Sequence, residues 1–117
     1  MKKPTAEYLR DFLVELDDIR DFTVDGKDAF MQDVRTQKAV IRSYEVIGEI
    51  AKRLSATVRE STPDINWHRL ITFRDFLAHN YDLIALRYVW EAVEDAPRLR
   101  TAIEALLAST DVDAEER

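Results

Sequence analysis

RTQKAVIRSYEVIGEIAKRLSATVRE, residues 35–60, decides how the rest of the chain reads. Val40, Tyr44, Ile47, Ala51, Leu54 and Val58 step by four and three along it, which draws one apolar seam down a helix. The spacing predicts a single long helix from about Arg35 to Glu60. Gly48 lies inside it, at a cost of about 1 kcal/mol relative to alanine. Close approach of another helix would account for a glycine there.

The same period continues outward in both directions. Leu9, Phe12, Leu13, Leu16 and Ile19 predict a first helix from about Thr5 to Phe22. Gly26 breaks it, Asp25 or Asp28 can cap a new start, and a short helical segment fits around Asp28–Asp33. On the other side, Pro63 disfavours helical geometry at Thr62. Asp64 or Asn66 can then cap a helix holding Trp67, Leu70, Ile71, Phe73 and Leu77, ending at about His79. Asp82 can cap a further helix with Leu83, Leu86, Val89, Trp90 and Val93, and Asp95 with Pro97 reads as a restart or kink. Leu99, Ile103, Leu106 and Leu107 belong to the last helix, and residues 109–117 read as a polar, fraying tail. The expected architecture is all-α: an antiparallel up-and-down bundle with a four-helix core plus a short extra helix, forming one domain over residues 1–117. Trp67, Phe73 and Trp90 read as core.

Composition narrows the function. The chain has no cysteine, which excludes disulfides, thiolate metal sites and cysteine nucleophiles. MKKPTAEYLRDF has no apolar stretch of the kind a signal peptide needs, and no run is long enough to span a membrane, so a cytoplasmic location is expected. The formal charge of −6 is uneven: residues 1–34 carry −4, residues 35–74 carry +4 and residues 75–117 carry −6. An acidic total argues against a broad non-specific nucleic-acid surface, while the basic middle permits a local phosphate-binding face.

The chemistry gathers in FRDFLAHNYD, residues 73–82. Asp75 and His79 are i,i+4 neighbours, so the carboxylate can accept a bond from one imidazole nitrogen and raise the basicity of the other. Arg74 and His79 are five apart and diverge on a helix, so they can converge only if His79 lies at or past its end. Asn80 and Asp82 are residues that end helices, which would leave Tyr81 on a connection. Histidine titrates near neutral pH and can take the proton from a ribose 2′-hydroxyl. Arginine can hold the phosphate in a bidentate grip. Together they suit metal-free cleavage of RNA to a 2′,3′-cyclic phosphate. No cofactor or metal is expected: His68 and His79 would sit about 16 Å apart along one helix, too far to share an ion.

RDFLAHNY carries an Arg-x4-His-x-Tyr motif at Arg74, His79 and Tyr81. Together with the block from Arg35, INWHRL before it and VWEAVEDAPRLRTAIEALL after it, this resembles HepT-type proteins of the HEPN superfamily. The resemblance covers about Lys3 to Leu107 and departs from the family pattern after Tyr81, where DLIALRYVW follows. It implies an all-α homodimer with its two motifs at a shared cleft. It also implies a metal-independent RNase toxin with Arg74 and His79 as catalytic residues, for which Asp75 and Asn80 are supporting candidates. The implied partner is a minimal nucleotidyltransferase antitoxin that can transfer AMP to Tyr81. The alternative is a catalytically weak dimeric binding module for such a nucleotidyltransferase.

Overall fold

The computed structural model describes residues 3–80 and 82–115, and for Ile84 and residues 111–115 the backbone only. Among the described residues six helices follow one another: α1 (Thr5–Phe22), α2 (Gly26–Gln32), α3 (Val34–Arg53), α4 (Ala56–Glu60), α5 (Trp67–His79) and α6 (Leu83–Glu115). The core helices are α1, α3, α5 and α6, with α3 packed on both α1 and α5, and α6 on α1. Their buried seams meet in one core that includes Leu9, Phe12, Leu16 and Ile19 of α1, Val40, Tyr44, Ile47 and Ala51 of α3, and Leu77, Val89 and Ile103. The expected all-α bundle is the fold observed.

Local signals set most of the boundaries. Gly26 takes φ +89°, a region open to glycine, and turns the chain from α1 into α2. Asp33 then caps α3, accepting from the Arg35 amide at 3.0 Å and from Thr36 Oγ1 at 2.8 Å. Asn66 caps α5 by accepting from the Arg69 amide at 3.0 Å, and Asp82 caps α6 by accepting from the Ala85 amide at 3.0 Å. Both were among the expected caps.

Two expectations fail. The helix expected to run from Arg35 to Glu60 stops at Arg53, because Leu54 and Ser55 are extended at ψ 145° and 154°. Ser55 Oγ accepts from the Val58 amide at 3.2 Å, so a side chain replaces the helical carbonyl and starts the short α4. The break keeps Leu54 in the core and lets the chain return, placing Ile65 and Trp67 in it too; the Trp67 ring meets Phe12 edge-on at 6.2 Å. Nor does the chain restart at Asp95–Pro97, since α6 runs unbroken through Pro97 to Glu115 and takes in much of the expected tail. Contacts on both sides of the proline carry the helix through it. Before it, Trp90 packs on Phe30 at 5.4 Å; after it, Leu99 and Ile103 enter the core and Arg100 Nε bonds Asp17 at 2.8 Å. At about 50 Å, this 33-residue helix sets the long axis of the molecule.

Candidate active site

Arg74 is placed by a close helix crossing. A methyl group built at Gly48 would collide with Arg74 Cβ and stand 3.0 Å from the Leu70 carbonyl oxygen, so α3 and α5 touch backbone to side chain here. This is the close approach that a glycine inside α3 called for. The arginine side chain then runs across Gly48 to its neighbour: Nη2 lies 3.2 Å from Glu49 Oε2, and Nη1 lies 3.3 Å from Asp75 Oδ1. Glu49 also accepts from Arg53 Nε at 3.0 Å. The bond from Arg53 and the charges of Arg74 and Arg53 hold the Glu49 carboxyl below the usual range, so it stays ionised. Arg74 is one-third exposed, with N–H donors left over from its two carboxylates.

His79 is the last residue of α5 and is exposed. Its Nδ1 lies 2.8 Å from the main-chain oxygen of Asp75. A carbonyl can only accept, so Nδ1 carries the proton and Nε2 of the neutral ring is left as an acceptor with no partner among the described residues. Asn80 turns extended, at φ −136° and ψ 123°, and its Nδ2 donates to the Phe76 oxygen at 2.8 Å. His79 and Asn80 thus cap the final turn through their side chains.

The expected Asp75–His79 pair is therefore corrected in detail. The histidine is oriented by the carbonyl of Asp75, because its carboxylate has turned to Arg74. Among the described residues no hydrogen bond or ion pair joins Arg74 to His79; Asp75 contacts both, one through each of its oxygen types. Tyr81, the expected AMP acceptor, lies outside the described residues. Glu49 was missed in the sequence, where the only hint was an acidic residue beside the anomalous Gly48. Of the basic middle segment, Arg42 pairs with Glu45 at 3.7 Å, while Arg53 and Arg74 share Glu49, so these cations are largely neutralised. Among the described residues no three histidine or carboxylate side chains gather in a way that could hold a metal ion, and no helix is long and apolar enough to cross a membrane.

Residues 12–106 match the family described as Ribonuclease HepT-like. The chain is 42% identical over 93 residues to "Putative RNase MJ0127" of Methanocaldococcus jannaschii, covering 79% of this chain and 77% of that protein. It is 35% identical over 108 residues to "Probable ribonuclease HepT" of Thermococcus cleftensis, covering 91% and 98%. "Putative RNase MJ1380" of M. jannaschii is 30% identical over 105 residues, covering 88% and 96%. No solved structure gives a significant match.

Proposed function

The chain belongs to the ribonuclease HepT-like family, and from that premise we propose that it is a metal-independent endoribonuclease acting as the cytoplasmic toxin of a toxin–antitoxin pair. The observation that carries the reading is the orientation of His79: Nδ1 is engaged by the Asp75 carbonyl, and at an exposed helix end Nε2 has no partner among the described residues. In this mechanism Nε2 takes the proton from a ribose 2′-hydroxyl. The 2′-oxygen attacks phosphorus, and the 5′-oxygen leaves. Arg74 bonds the non-bridging oxygens with its remaining N–H groups and stabilises their growing charge. Two copies related by a two-fold axis bring two motifs to one cleft, where the second imidazole, protonated, returns a proton to the leaving oxygen.

Cleavage in EDTA with analysis of the new ends tests the reading. A 2′,3′-cyclic phosphate and a 5′-hydroxyl are expected; ends of the opposite type, or activity only with added metal, would overturn it. The homodimer draws support from an apolar side chain left in solvent at the start of α6, where Leu83 is 56% exposed. Light scattering at micromolar concentration should report twice the chain mass, and monomer alone would remove the shared cleft. The engagement of Arg74 by two carboxylates is the observation on the side of a weak binding module instead.

Neutralisation is assigned to a minimal nucleotidyltransferase that moves AMP from ATP to the Tyr81 oxygen and releases pyrophosphate. The added phosphate would compete with RNA for Arg74. Tyr81→Phe should keep cleavage and escape the antitoxin. Intact mass after incubation with antitoxin and ATP should rise in whole AMP units for the wild type alone; equal labelling of Tyr81→Phe would place the modification elsewhere.

A further inference from the structure

Between α3, α5 and α6 lies a cavity of about 300 Å³, at the small end of the range for ligand sites. The rings of Phe73 and Tyr88 stand in its wall and Tyr44 contributes a phenol. Tyr44 is 2% exposed, and its hydroxyl is buried without a hydrogen-bond partner. A buried donor left unpaired is destabilising and uncommon in a folded protein. Burial, and secondarily the charge of Asp95, push its pKa upward, so the O–H remains available to donate. Two more charged groups line the cavity without a side-chain hydrogen bond, although the charge of Arg69 helps Arg98 hold the Asp95 carboxyl below its usual range. The side chains of Arg69 and Glu91 make no hydrogen bond or ion pair among the described residues, whereas Asp95 and Arg98 are bound to each other at 2.8 and 2.9 Å.

We propose that this cavity receives one unpaired base of the RNA substrate. The base packs against Phe73 and Tyr88, its edge accepts from the Tyr44 hydroxyl, and Arg69 meets an adjoining phosphate. This rests on the ribonuclease reading and adds to it a specificity pocket. Three features select a nucleobase. Aromatic walls suit a flat π-system, as in other single-strand readers. A single buried donor suits an edge that accepts a hydrogen bond. Phe73 directly precedes Arg74 and stands about 9 Å along α5 from His79, so one strand can reach both.

Two variants test it. Tyr44→Phe removes only the unpartnered hydroxyl and should fold at least as stably as the wild type. Ala92→Leu narrows the cavity from a partly buried position on α6. With oligoribonucleotides randomised around the cleaved bond, the wild type should prefer one base at one position by about tenfold, the effect of one base-edge contact. Both variants should lose that preference while still cleaving. A preference shared by all three proteins would overturn the pocket and leave the ribonuclease standing. A second readout does not depend on cleavage. In NMR titrations with the four nucleoside monophosphates, the Phe73 and Tyr88 ring signals should shift in the wild type and not in Ala92→Leu. Shifts without any wild-type cleavage would keep the pocket and overturn the ribonuclease. Rings that respond to protein concentration and not to nucleotide would mean that a second copy fills the cavity, which also overturns the proposal.

Discussion

Replacing His79 by alanine is expected to lower RNA cleavage by about 10²- to 10⁴-fold, the usual effect of removing a general base, with the helical fold retained. The imidazole is exposed, and its bond to the Asp75 carbonyl is at the open end of α5, where water can take its place. No core contact goes with it. Circular dichroism should therefore superpose on the wild type while end-labelled RNA stays intact; a loss of helical signal would make His79 a structural residue. Arg74→Ala should be as damaging to cleavage and is the less clean experiment, since it also takes from Glu49 one of the two cations it shares. Arg74→Lys separates the two effects. It keeps a positive charge near Glu49 but loses the planar fork, so near-complete loss of cleavage with normal stability would identify bidentate phosphate contact as the requirement. Full activity in Arg74→Lys would refute it.

The second large effect is expected at Gly48. On helix propensity alone Gly48→Ala should stabilise by about 1 kcal/mol. The structure gives the opposite sign: the added methyl meets Arg74 Cβ and the Leu70 backbone, and backbone cannot swing aside as a side-chain tip can. Forcing α5 away from α3 should destabilise by about 1–3 kcal/mol, as overpacking of well-fitted interiors does. Because the contact is made by Arg74 itself, cleavage should fall with it even where the variant is still folded. Urea unfolding followed by circular dichroism measures the first effect, and an unchanged or higher midpoint would show that the crossing is looser than drawn. Glu49→Gln probes the same junction without a clash: stability should barely change for so exposed an ion pair, while Arg74 loses its charged tether and should bind RNA phosphate in a less fixed geometry.

How much of the molecule can be read before it folds depends on the range of the interaction. The apolar period of α1, the caps at Asn66 and Asp82, and the end of α5 at His79 all follow from residues within a few positions of one another. A side-chain oxygen and an amide three residues on need no distant partner, so these features are legible in the sequence. Where the reading failed, a distant or competing contact decided. The apolar steps through Leu54 and Val58 continue as if the helix did, but period counts spacing and is blind to Ser55 taking the Val58 amide. Pro97 would end an isolated helix. Here Phe30 against Trp90 on one side and Asp17 with Arg100 on the other hold α6 through it.

The sequence by itself determined an all-α chain and the positions of most of its main helices, because periodicity and capping are local, and it placed Arg74, Asp75, His79 and Asn80 within one short stretch. Only the tertiary structure decided what those residues touch. It sets Arg74 over Gly48 and against Glu49, gives His79 a carbonyl where a carboxylate was expected, and leaves Tyr44, whose buried hydroxyl is unpaired, in the wall of a cavity between α3, α5 and α6. Those outcomes depend on where three helices cross, and a crossing is fixed by the packing of whole faces against one another, which no short stretch of sequence encodes.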